Sequence, residues 1–84
     1  MLIHYRPVGV CARHFTIELQ DGMIQDLKVE AGCHGNLQGI SALVKGCPAE
    51  EIIPRLEGIR CGRRPTSCPD QIARALREAL QQEK

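Results

Sequence analysis

Five cysteines stand in a chain of 84 residues, and their settings point to thiolate chemistry. Cys33, Cys47, Cys61 and Cys68 each have a Gly or Pro as a direct neighbour, and Cys11 follows Gly9-Val10. Structural cysteines usually sit inside apolar runs. These sit on backbone that can turn tightly, where elements begin or end. Thiolates on such turns can converge on one point. Cys11, Cys33, Cys61 and Cys68 together would offer four sulfurs, which suit tetrahedral zinc at about 2.3 Å or an iron–sulfur cluster. The chain has no CxxC knuckle, so spacing alone leaves open the reading that some cysteines are small buried hydrophobes.

The neighbours of these cysteines admit two readings each. Cys68 precedes Pro69 at an expected helix start, where backbone amides and the helix dipole favour a thiolate. Arg60, just before Cys61, and Arg63 and Arg64 crowd the Cys61–Cys68 loop. They can offset the charge of a metal–thiolate centre, form an anion site beside a helix terminus, or simply be solvated. His34 is either a ligand, a donor to a ligand, or a solvent-facing turn residue. Cys47 lies in Gly46-Cys47-Pro48, where helix punctuation explains it. His4 and His14 fall in strand patterns, where a packed or exposed imidazole is the default. No paired carboxylates and no phosphate-binding glycine loop are present.

The elements that must position these groups can be read from periodicity. Ile3, Tyr5, Val8 and Val10 suggest a strand within 2–10, broken near Pro7. Phe15, Ile17 and Leu19 alternate with polar residues. Asp21-Gly22 then signals a type I′ hairpin, and Ile24, Leu27 and Val29 continue it over 13–30. Leu37, Ile40, Leu43 and Val44 have helical spacing, with Asn36 as the expected N-cap and Gly46 as the stop. Gly39 within this helix suggests a close approach to the sheet. Pro48 opens a second helix that Pro54 would kink and Gly58 ends. A third begins at Cys68-Pro69, with Ile72, Ala73, Leu76, Ala79 and Leu80 as its apolar stripe. The expectation is an α+β fold: a small antiparallel sheet of about three strands, followed by three helices on one face.

Bulk properties narrow the function. The length predicts one domain over 1–84. With no Trp, one Tyr and one Phe, the core is aliphatic and thin, and a metal cross-link would add stability. A net charge of +1 argues against nucleic acid as a partner. No apolar run approaches the roughly 18 residues of a membrane span. Met1 to Arg6 shows no secretory signal, so a cytoplasmic location and reduced thiols are expected. The odd cysteine count fits metal or redox chemistry better than disulfides. A short sheet with an exposed edge leaves a homodimer open.

Thr66-Ser67-Cys68-Pro69-Asp70 spells the motif that names the TSCPD domain family. Gly9-Val10-Cys11, Gly32-Cys33-His34-Gly35-Asn36-Leu37-Gln38-Gly39-Ile40-Ser41 and Gly58-Ile59-Arg60-Cys61-Gly62 extend the likeness over nearly the whole chain, which resembles the small stand-alone four-cysteine members. The resemblance implies that Cys11, Cys33, Cys61 and Cys68 are the shared metal-site cysteines and leaves Cys47 outside. Related domains close adenosylcobalamin-dependent ribonucleotide reductases, where they resemble a metal-binding accessory region. That implies a small zinc-binding accessory module, with a ribonucleotide reductase or a cluster-assembly protein as partner. Radical reduction of a nucleotide needs a large barrel and a radical cofactor, so the chain is not expected to be an enzyme by itself. The order of hairpin, Gly-Cys turn and helices also resembles NifU-type iron–sulfur scaffolds, although the fourth cysteine departs from them. An iron–sulfur scaffold or carrier, or a thiol-redox protein, is the alternative reading.

Overall fold

The computed structural model describes residues 1–10, 12–31, 34–60, 62–63 and 65–83. Three strands, β1 (Leu2–Tyr5), β2 (Ala12–Gln20) and β3 (Met23–Ala31), precede three helices, α1 (His34–Val44), α2 (Ala49–Leu56) and α3 (Cys68–Glu83). The strands form one antiparallel sheet in the order β1-β2-β3. The chain is thus an α+β fold of strands followed by helices.

The period of two in β2 decides which face is covered. Phe15, Ile17 and Leu19 are wholly buried, while Glu18 and Gln20 are exposed. Register carries the same sorting to the neighbouring strands: Ile3 and Leu27 lie opposite Ile17, and Ile24 lies opposite Leu19. The helices cover this one face with Leu37, Val44, Ala49, Ile52, Ile53, Ile72, Ala73, Leu76 and Ala79. The other face is polar. There His4 and His14 stack, with ring centroids 5.1 Å apart, and His14 Nδ1 lies 4.0 Å from Glu30 Oε1.

The hairpin tip forms as Asp21-Gly22 predicts. Both residues have positive φ, 52° and 77°, as a type I′ turn requires. Two other segments fasten this tip. Gly22 N–H donates to Glu83 Oε1 at 2.7 Å, and Ala49 N–H donates to the Gly22 carbonyl at 2.8 Å. The α1–α2 connector also pairs with β3: Ile24 N–H donates to the Cys47 carbonyl, and Gly46 N–H to the Ile24 carbonyl, at 2.9 and 2.7 Å. These bonds cover part of the outer edge of β3, as edge strands require.

Some boundaries differ from the periodic reading. β1 stops at Tyr5, before Pro7. The helix α1 starts at His34, so Asn36 lies inside it and is not its N-cap. Pro54 lies inside α2 but is exposed, and its ring does not stop the apolar side of that helix from burying Ala49, Ile52 and Ile53.

Gly39 is exposed, and no described residue lies within 4 Å of a Cβ placed there. Close helix–sheet packing is therefore not its reason. Gly39→Ala should stabilise the protein by about 0.5–1 kcal/mol, because Ala is the better helix former. Urea denaturation should show a higher midpoint at unchanged slope.

Candidate metal centre

The segment Thr66-Ser67-Cys68-Pro69-Asp70 builds the N-terminus of α3. Ser67 is the N-cap in function: its Oγ accepts the Asp70 N–H at 3.2 Å, and its carbonyl accepts the first helical bond, from Gln71 N–H at 2.9 Å. Pro69 has no N–H to satisfy and stands where a helix needs none. Cys68 is the first helical residue. Its side chain is half-buried and packs against the core.

Asp70 is the electrostatic centre of this turn. It is buried, 3% exposed, and a buried carboxylate is tolerable only when its oxygens are well partnered. The Thr66 hydroxyl donates to Asp70 Oδ2, and Gly58 N–H donates to Oδ1 at 2.8 Å. Arg74 Nε lies 3.4 Å from Oδ2. The Thr66 bond, then the Gly58 bond, and the nearby Arg74 charge hold the carboxyl below its ordinary value against the opposing effect of burial. Asp70 is therefore a charged acceptor at neutral pH.

The network continues through Gln71, which is also buried. Its amide oxygen accepts from Val8 N–H at 3.1 Å and from the Tyr5 hydroxyl at 3.3 Å. A backbone N–H can only donate, so the Gln71 NH₂ must face the other way. It donates to Thr66 Oγ1 at 2.9 Å. Burial, reinforced by Glu78, pushes the Tyr5 phenol up, so it stays a donor. The Ser67 hydroxyl donates to the Ile59 carbonyl at 2.6 Å. Gly9, at φ +75°, completes the junction: a Cβ there would stand 3.3 Å from Thr66 Cγ2.

One polar network thus joins the turn after β1, the segment after α2 and the start of α3. Each of these segments carries a predicted site cysteine. Gly9 lies two residues before Cys11, Ile59 two before Cys61, and Ser67 directly before Cys68. Ala12, next to Cys11, pairs with Ala31, two residues before Cys33. The described flanks of the predicted site therefore meet at one end of the molecule. Cys11, Cys33 and Cys61 themselves lie outside the described residues. Among the described residues no group of three metal-ligating side chains occurs.

Cys47 belongs elsewhere. Its backbone pairs beside the hairpin tip, the end that the C-terminal residue pair Glu83–Gly22 also marks. The 16 residues of α3 span about 24 Å, so Cys47 and Cys68 are at opposite ends. Its Sγ lies 3.4 Å from the Leu43 carbonyl. His34 opens α1.

The sequence reading did not foresee Thr66, Ser67, Gln71 and Tyr5 as parts of one network. The signal was present: Ser67 and Asp70 have the S-x-x-D spacing of a capping box.

Removal of one partner from a buried charge network strands the others. Asp70→Ala should cost about 3 kcal/mol or more, lowering the thermal midpoint by roughly 12–24 °C for a domain of this size. Thr66→Val should cost about 1–3 kcal/mol. Arg74 is 60% exposed, so Arg74→Ala should cost less than about 1 kcal/mol. Calorimetry of the three variants checks this order.

No curated protein and no solved structure matches the chain. The family model described as TSCPD domain matches residues 3–80. The motif that gives that family its name is the turn from which the network is built, and the match spans nearly the whole chain: the protein belongs to the TSCPD domain family.

Proposed function

We propose that this protein is a small metal-binding accessory module in which Cys11, Cys33, Cys61 and Cys68 hold zinc. The observation that carries the reading is the convergence of the segments flanking the four cysteines: Thr66, Ser67, Asp70 and Gln71 fasten those of Cys11, Cys61 and Cys68, and strand pairing of Ala31 with Ala12 brings in that of Cys33. A network of buried hydrogen bonds holds these segments before any ion arrives, so the site would be organised in advance. Cys68 fits the role chemically: it is half-buried at a helix N-terminus and is not in a disulfide. Soft thiolates suit zinc, and four of them make a closed structural site. When bound, zinc would cross-link segments that a thin aliphatic core holds only at their ends. The resemblance to reductase-associated domains and the small size of the chain support an accessory role, with a larger enzyme such as a ribonucleotide reductase as partner.

Metal analysis of protein purified anaerobically tests the site. Stoichiometric zinc is expected, lost in Cys11→Ser, Cys33→Ser, Cys61→Ser and Cys68→Ser but kept in Cys47→Ser. The zinc-bound protein should melt well above the chelator-treated form. Visible absorption with stoichiometric iron would replace this reading with the iron–sulfur carrier. If neither metal is present and Cys68→Ser melts like the wild type, no metal site exists, and rapid alkylation of one thiol would then favour redox chemistry.

A further inference from the structure

The near-neutral net charge of +1 conceals a separation of charge along a molecule of 35 × 21 × 20 Å. At the network end, Arg6, Arg13, Arg60 and Arg63 are all exposed. None of the four has an ion-pair or hydrogen-bond partner among the described residues. The acidic residues near this end are each engaged: Asp70 is buried and already satisfied, Glu57 pairs with Arg77, and Glu30 lies beside His14, which leaves the four arginines in excess. At the hairpin-tip end the balance shifts to acid. Asp21, Glu50 and Glu51 are exposed there, gathered by the bonds of Gly22 to Ala49 and Glu83, while Lys45 is paired with Asp26 and the Met1 ammonium is bound to the Leu19 carbonyl. The nine residues of β2 put about 26 Å between the two ends, more than twice the Debye length of about 8–10 Å. A partner at one end therefore feels that end alone.

The basic end also presents apolar surface. Val8 is 73% exposed and Ile59 41%. Both are held in place by their backbones, Val8 N–H on Gln71 and the Ile59 carbonyl on Ser67, so their side chains are offered from a fixed frame. Arginines around ordered apolar side chains are the composition of protein–protein contact surfaces. A zinc–tetrathiolate carries two negative charges, which would still leave a positive excess among the arginines.

We infer that this end is a docking surface for an acidic protein partner, gripped by Arg6, Arg13, Arg60 and Arg63 around Val8 and Ile59. Charge complementarity selects the occupant. Single-stranded nucleic acid would want aromatic side chains for base stacking, but Phe15 is buried and Tyr5 is engaged by Gln71. A second copy could offer its acidic end, but such head-to-tail contacts build rings or open filaments, so self-association would reveal them. The inference does not rest on the metal reading: the hydrogen-bond network holds Val8 and Ile59, and the four arginines are exposed around them.

Isotope-labelled full-length protein is titrated with three probes: a short peptide of alternating Glu and Leu, the same peptide with Ser for Leu, and oligothymidylate. The Glu–Leu peptide should shift the amides of Val8, Ile59, Arg60 and Arg63, and should bind more weakly as salt rises. Arg60→Glu combined with Arg63→Glu should weaken it at least about tenfold, and Val8→Ser should weaken it measurably, with thermal melts unchanged. These sites are exposed, so folding is preserved, and the melt verifies it. Equal binding of the Ser peptide or tighter binding of oligothymidylate overturns the inference. So does a shift pattern elsewhere on the surface, or self-association that Glu50→Lys with Glu51→Lys abolishes.

Discussion

The arrangement depends on one buried charge. Asp70 is withdrawn from water at the first turn of α3, and a carboxylate in that position is destabilising by several kcal/mol unless each oxygen has a donor. The donors come from different parts of the chain: a hydroxyl from Thr66, a backbone N–H from Gly58, and a guanidinium from Arg74. The charge can be satisfied only when the segment after α2 lies against the start of α3. Gln71, one residue on, extends the requirement to Tyr5 and Val8. A local demand for hydrogen bonds thus becomes a constraint on three loops.

The opposite end is closed by a different kind of contact. There the hairpin tip is held by a side chain near the end of α3 and by the backbone of the α1–α2 connector. Between the two ends, the core is aliphatic apart from Phe15, with Ile17, Leu19, Ile24, Ile72 and Leu76 as its other large, wholly buried side chains. Apolar burial is non-directional. It holds the helices to the sheet but does not by itself set how far each loop reaches past the sheet's end. The polar contacts at the two ends supply that direction. Met1 adds a smaller fastening, its ammonium donating to the Leu19 carbonyl at 2.7 Å.

The sequence made the sheet and α3 legible because their signals are local. Alternation over Phe15 to Leu19, the Asp21-Gly22 turn and the stripe from Ile72 to Ala79 each need only their own neighbours to be understood. The start of α1 was misplaced by three residues, since Asn36 matches the local preference for an N-cap but the helix begins at His34. Gly39 was misread because a helical glycine indicates close packing only when something packs against it. The network was the least legible feature. In the sequence Thr66, Ser67 and Asp70 stand out as letters of the family motif. The partners that define their roles, Gly58, Ile59, Tyr5 and Val8, are distant in sequence, and no local pattern points to them.

The named motif can now be understood residue by residue. Thr66 stands between two acceptor–donor demands: it takes a hydrogen bond from Gln71 and gives one to Asp70. A hydroxyl can do both, and a valine of the same shape neither. Ser67 caps the helix and ties it to Ile59. Pro69 occupies a position whose N–H would have no helical acceptor, at no cost in bonds. Asp70 gathers the donors. With Asp70 N–H bound to Ser67 Oγ, Gln71 N–H bound to the Ser67 carbonyl and Pro69 lacking one, the Cys68 N–H is the backbone donor of this first turn left without an acceptor among the described residues. Four residues of the motif thus account for the fold of the turn. The fifth, Cys68, is held at a helix terminus with its side chain half-buried against the core, and the hydrogen bonding of the motif is complete without its thiol. Its thiol is the part of the motif that remains available for chemistry.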